Sequence, residues 1–460
     1  MKLNRWVDWS QVLLSVTAAV LTYCSVMMII ALVHLTVGLQ LYLHWIHKAI
    51  VLILVLSILM VILSVGVKWK HGWSTILISF QVTGPFLHIG AVVAVTALAW
   101  VVIGFVFQAT KVLRIFSCVL YLGVVISLYL IPLAISSPCI IEKEALGPRP
   151  AMMGHRGAPM LAPENTLMSF QETVTCGAKV FESDVQISYD GVPFLMHDTT
   201  LRRTTNVVAV FPERAGDNAS MFTWAELQQL NAGEWFLQKD PFNTVQSLTL
   251  EAQRRAANQS ICSLAQLLEL AKTENRAVMF DLQSPETASH PFLNITLNII
   301  LDTILNSSIP HHLILWLSDS KDSVPYDFQQ VLKDTPAPET QDGNRTLINL
   351  QYSNISYTQI RQYTERNITV NLFVVNEPWL FSVLWCANVL SVTTDACHIF
   401  QEMSQPVWRM DPDIYLKVLV CTDVTSFLLI LGMFFIHRWR YGMRHTATLT
   451  RQTEMMDTLM

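Results

Sequence analysis

The chain has 460 residues, of which 52% are hydrophobic and only 14% charged, and its formal net charge is −5. So apolar a composition excludes an ordinary soluble enzyme and a disordered chain, and the acidic balance argues against a nucleic-acid partner. The charge is also unevenly placed: residues 142–417 carry 31 acidic and 19 basic side chains, the remainder 4 and 11.

Four runs without Asp, Glu, Lys or Arg come first, at 9–47, 49–67, 72–110 and 115–141. Each can cross a bilayer, which takes about 20 apolar residues. They predict transmembrane helices at about 12–33, 48–67, 82–107 and 115–136 within a membrane region spanning 1–141. Gly84-Pro85 is expected to kink or delay the third. No cleavable leader pattern is evident, so the first span serves as its own insertion signal. A fifth span is predicted at 417–437, interrupted by Asp423, which reads as an interfacial or interhelical polar contact.

Arg438, Arg440 and Arg444 follow that span, so the tail 438–460 is expected on the cytoplasmic side and the segment between the fourth and fifth spans outside. Of the 17 asparagines after position 139, seven begin glycosylation sequons: Asn218, Asn258, Asn294, Asn306, Asn344, Asn354 and Asn367. That density fits a secretory-pathway surface. Five cysteines fall in this portion (Cys139, Cys176, Cys262, Cys386, Cys397); disulfides are allowed there, and the odd number leaves at least one free or intermolecular.

The outer segment 150–410 alternates short β-branched runs with amphipathic stretches. The strand candidates are AMMG, KVFESDV, VPFLM, AVMFDL, HLILWL, TLINL, ITVNLFVV and VLSVTT. That alternation predicts a (β/α)8 barrel, a TIM barrel, with an insertion at about 199–260 over its mouth. The expected protein is therefore a multi-pass α-helical membrane protein with an extracytoplasmic α/β barrel.

Chemistry concentrates at 155–198. Glu182 and Asp184 are two apart on a strand, so both carboxylates face one side, and a hard divalent cation (Mg²⁺, Ca²⁺ or Mn²⁺) would relieve their repulsion. Asp190-Gly191 predicts a two-residue hairpin pairing Asp184 with His197. His155-Arg156-Gly157 joins an imidazole, a guanidinium suited to phosphate oxygens and a residue that admits a ligand to the backbone. Glu164 sits where Pro163-Glu164-Asn165-Thr166 opens a helix. Asp281 and Asn376 end strand runs, where barrel sites gather. Two histidines, an arginine and a cation suit phosphodiester cleavage, with one histidine taking a proton and the other delivering one; the residues leave open which does which.

HRGAPMLAPENT with FESDVQISYDGVPFLMHD resembles the glycerophosphodiester phosphodiesterase family, and LRRTTN, WAELQQLNAGEWF, NLFVVN and TTD extend the match over roughly 250 residues. SSPC, GHRGAPMLAPE and PWLFSVLWC are similar to its multi-pass membrane branch. The resemblance implies a phosphoric diester hydrolase acting on glycerophosphoinositol, glycerophosphocholine, related headgroups or glycosylphosphatidylinositol anchors. It implies His155 and His197 as the acid–base pair, Glu182, Asp184 and His197 at the metal, Arg156 on phosphate, and Glu164 lining the site.

Two departures stand out. The run FDLQ gives Asp281 and Gln283 where the family has Glu-x-Lys, which leaves a second reading open: a catalytically weak barrel that binds lipid headgroups or proteins as a receptor. Five spans rather than the branch's six also suggest that the chain begins past the usual first span.

Overall fold

The computed structural model describes residues 70–133, 137–283, 285, 289–318, 325–333 and 347–457, with scattered positions between 23 and 56. The predicted spans at 12–33 and 48–67 lie outside the described residues apart from isolated positions, and Asn344 lies outside them altogether. The chain divides into two units, one of residues 1–137 and 412–460, the other Pro138–Asp411.

In the first unit, α1 (Lys70–Gln108) and α2 (Lys111–Leu130) are followed, after the second unit, by a C-terminal helix over Pro412–Asp457. Three described segments are long and apolar enough to cross a membrane: Ile78–Gln108, Lys111–Leu133 and Pro412–Met443. Helix α1 runs on through Pro85 rather than starting after it. The three helices share polar contacts, with Ser426 Oγ lying 2.6 Å from Thr96 Oγ1 and 2.7 Å from Tyr129 Oη. Such hydroxyl pairs join apolar helices where hydrophobic contrast cannot.

The second unit is a closed barrel of parallel strands. These are β1 (Ala151–His155), β2 (Val180–Ile187), β4 (Ala277–Leu282), β5 (Ile314–Ser318), β6 (Gln329–Leu332), β7 (Leu347–Gln351), β8 (Thr369–Phe373) and β9 (Ser391–Thr394). They follow one another round the ring in that order, and β9 returns to β1. The eight-stranded parallel barrel agrees with the expectation; its membership does not. The run VPFLM forms β3 (Pro193–Leu195), antiparallel to the end of β2 and outside the ring. Its place among the eight is taken by QQVL, which is too short and too polar at its start to register as a strand.

Strand alternation divides the core. Outward residues Phe181, Val185, Val278 and Phe280 pack under α3 (Leu167–Thr175), α4 (Leu264–Thr273) and α5 (Thr296–Asn306), against Phe170, Leu267 and Ile300. Burying each such side chain stabilises the fold by about 1.5–3 kcal/mol. Inward residues Met153, Val180, Met279, Leu315 and Val331 form an apolar floor inside the ring. The α3 start is fixed by Thr166, whose side chain accepts from Ser169 N–H, and α4 begins on a reciprocal Ser263–Gln266 capping box.

The insertion carries short helices and no strand among the described residues. It has its own core, in which Leu201, Val207, Phe222 and Leu227 pack on Phe194 and Met196. Cysteines pair as Cys139–Cys386 and Cys176–Cys397, leaving Cys262 buried and free. The unit's two ends are clasped: Ile140 bridges Met410, whose N–H donates to Cys139 O at 2.9 Å.

Candidate active site

One step along each strand from the apolar floor lies a ring of different character. Two residues beyond Met153, Val180, Met279 and Val331 stand His155, Glu182, Asp281 and Lys333, all lining a cavity of about 370 Å³. Arg156, Asp184 and His197 complete its charged wall. The site is thus at the carboxyl ends of the strands, where a barrel exposes the inward side chains that its floor does not fill. Glu164 and Asn376 do not line the cavity; Glu164 stands behind Arg156, which does, and Asn376 behind Asp395, the partner of His155.

Each histidine is held by a carboxylate. His155 Nδ1 is 2.7 Å from Asp395 Oδ1, and Asn376 Nδ2 donates to the other Asp395 oxygen at 2.7 Å. His197 Nδ1 is 2.8 Å from Asp198 Oδ1, and Asp198 is fixed by Arg203 at 2.7 and 2.8 Å. With both Nδ1 atoms engaged, Nε2 of each ring is the nitrogen left for chemistry. Burial alone would lower the His155 pKa; the Asp395 hydrogen bond and the charge of Glu182 outweigh it, and the net shift is upward.

The hairpin differs from expectation by one residue. Val185 pairs with Leu195 and Gln186 with Phe194, so Asp184 stands opposite Met196, not His197. The cause is a three-residue loop, Tyr189-Asp190-Gly191, in which Gly191 takes φ +88 and Ser188 and Val192 close the ladder. His197 still reaches the cavity because β3 ends at Leu195 and the chain beyond it is pinned differently. Gln186 Nε2 donates to Met196 O and Asp198 O, and Gln283 Nε2 donates to His197 O, at 2.9–3.0 Å. Gln283 therefore holds the histidine segment.

Arg156 sits in the left-handed region at φ 55, before Gly157 at φ 93, where a Cβ would overlap the Ser169 side chain. Its backbone N–H donates to Glu182 Oε2 at 3.1 Å and its Nη1 to Glu164 Oε1 at 3.2 Å. Its Nε lies 3.3 Å from Asp184 Oδ2 but makes no hydrogen bond, a buried donor short of an acceptor. Glu164 also receives both Arg203 terminal nitrogens at 2.7 Å. Burial would raise its carboxyl, but Arg203 and then Arg156 hold it below the usual range.

The acid pair is strained. Burial first, and then the charge of Asp184, push Glu182 up to about 7 against the pull of His155 and Arg156. Burial likewise raises Asp184. Asp281 is the register neighbour of Asp184 and pairs with Lys333 Nζ at 3.0 Å. Among the described residues no three His, Cys, Asp or Glu groups converge to enclose a metal. Two buried carboxylates that resist ionisation nevertheless fit a hard divalent ion that takes only two protein ligands and keeps much of its water.

Sequence reasoning missed Asp198, Arg203 and Lys333. The first two lie in the recognised HD and LRRTTN segments, and Lys333 could have been found by stepping two residues on from Val331, had QQVL been read as a strand.

The family model for the glycerophosphoryl diester phosphodiesterase family matches residues 155–398. Mouse glycerophosphodiester phosphodiesterase domain-containing protein 5 is 45% identical over 96% of this chain and 73% of its own length. Mouse glycerophosphoinositol inositolphosphodiesterase GDPD2 is 42% identical over 97% of this chain and 85% of its own. Among solved structures, an Oleispira antarctica phosphodiesterase bound to the product sn-glycerol-3-phosphate aligns at 21% identity and a TM-score of 0.43, over 55% of this chain and 95% of that one.

Proposed function

The chain belongs to the glycerophosphoryl diester phosphodiesterase family, and on that premise we propose that it hydrolyses glycerophosphodiesters by paired histidine acid–base catalysis at the outer face of a membrane. The observation that carries this reading is the convergence on one cavity of two carboxylate-held histidines and an arginine whose Nε lacks an acceptor. Arg156 binds a phosphate oxygen through its guanidinium, which Glu164 keeps in place. One imidazole takes the proton of the attacking water or neighbouring hydroxyl through Nε2, and the other protonates the departing alcohol. Proton transfer of this kind contributes about 10²- to 10⁴-fold.

Glu182 and Asp184, with His197 alongside, would hold a divalent cation (Mg²⁺, Ca²⁺ or Mn²⁺). When bound, it supplies positive charge that stabilises the phosphoryl oxygens. The 42% identical mouse relative is named for glycerophosphoinositol, which makes that diester the first headgroup to test, ahead of glycerophosphocholine and glycosylphosphatidylinositol anchors.

The outer-face placement is supported by the two disulfides, by the basic residues Arg438 and Arg440 after the last apolar run, and by exposed sequon asparagines Asn294, Asn306, Asn354 and Asn367. Asn258 is exposed as well, and Asn218 is half-buried. This reading makes the chain multi-pass, with its C-terminus cytoplasmic. Purified protein should hydrolyse one of these diesters in the presence of cation, and His155→Ala and His197→Ala should each abolish turnover while still folding. Undiminished hydrolysis in either variant would overturn the acid–base roles of the two histidines.

A further inference from the structure

Three acids, Glu182, Asp184 and Asp281, face the cavity, and a phosphodiester brings another negative charge into it. Arg156 alone is a thin counterweight. Lys333 is the second cation on the cavity wall, and the topology gives it a particular place. Round the ring, β6 is four strands from β1 in either direction, so Lys333 and Arg156 rise from opposite walls. Because Val331 points into the floor, Lys333, two residues on, rises into the layer of His155 and Glu182. Its Nζ is 3.0 Å from Asp281, itself beside Asp184, which brings the ammonium toward the acid cluster from across the barrel. Gln283, meanwhile, is committed to the His197 carbonyl.

We propose that Lys333 is a substrate-binding residue that grips the phosphate from the wall opposite Arg156, with Asp281 as its ion-pair partner. An ammonium donates to several acceptors at once, so contact with Asp281 does not exclude contact with a phosphate oxygen. The inference rests on the reading of the cavity as a glycerophosphodiester site.

The test compares full-length wild type, Lys333→Met and Lys333→Arg for glycerophosphoinositol hydrolysis and, separately, for binding of inorganic phosphate by calorimetry in the presence of Mg²⁺. Losing a charged hydrogen bond should raise KM and weaken phosphate binding about ten- to hundredfold in Lys333→Met, with kcat much less affected. Lys333→Arg should recover most of both. The side chain is half-exposed, so its replacement should leave the fold intact, and an unchanged Tm in Lys333→Met checks this. Unchanged KM and phosphate affinity in Lys333→Met would overturn the proposal. A wild type that hydrolyses no diester but binds phosphate through Lys333 would sink the reaction and leave the anion site standing; if it binds no phosphate, both fall.

Discussion

Replacing Glu182 by Gln should stabilise the metal-free protein while disabling it. The carboxyl is moved from 4.5 to about 7 by burial and by Asp184. Its folded-state pKa lies above the unfolded value, so across that window the folded chain holds a proton that the unfolded chain has lost. Stability therefore declines as pH rises from 4.5 to 7, and the full penalty stands above 7. At about 1.4 kcal/mol per tenfold, the ionised group costs the fold about 3 kcal/mol. Glutamine carries no charge and keeps an oxygen for the Arg156 N–H, now 3.1 Å from Glu182 Oε2. Thermal unfolding of the full chain in detergent with chelator at about pH 8 should show Glu182→Gln melting about 6–12 °C above wild type, at about 2–4 °C per kcal/mol for a domain of this size. Below about pH 4, where both states hold the proton, the difference should nearly vanish. Adding Mg²⁺ should raise the wild-type Tm and leave the variant unmoved. Equal melting of the two proteins in chelator at the alkaline pH would refute the argument, because Glu182 would then carry no unrelieved charge.

Three further outcomes follow from the geometry. Asp395→Asn should cut kcat/KM about 10²- to 10⁴-fold and move the His155 limb of the pH–rate profile to lower pH, since Asp395 raises that histidine; an unmoved limb would count against the pairing. Cys139→Ser should lower the stability of the barrel unit by about 4–5 kcal/mol, because that disulfide closes a sequence separation of 247, and melting with and without reductant measures it. Protein made in a secretory host should lose mass on glycosidase treatment, and Gln at Asn294, Asn306, Asn354 or Asn367 should each remove one step; a fully unmodified protein would place the domain on the other side.

The chemistry was legible because His155, Arg156, Glu182, Asp184 and His197 lie close in sequence, with His155, Glu182 and Asp184 on strands whose alternation fixes their facing. The barrel was legible for the same reason: its runs are β-branched and evenly interrupted. What failed were local geometries that differ by a single residue or a single short element. Asp190-Gly191 satisfies a two-residue turn as well as the end of a three-residue loop, and only the backbone of Tyr189–Gly191 decides between them. The strand QQVL opens on two glutamines and is four residues long, so hydrophobic pattern could not mark it, and Lys333 went with it. The role of Gln283 went unseen because sequence shows identity and not direction; its side chain turns to the His197 backbone.

The clasp at the ends of the barrel unit has a bearing on proteolysis. Residues 142–145, between Cys139 and β1, are exposed and make the natural place for a protease to cut. A nick there would free nothing: the upstream fragment carries Cys139, which stays bonded to Cys386, and Ile140, which stays bridged to Met410. Such a molecule would run as one species on a non-reducing gel and as two once thiol is added, so a cleaved population would pass for intact unless reductant is present.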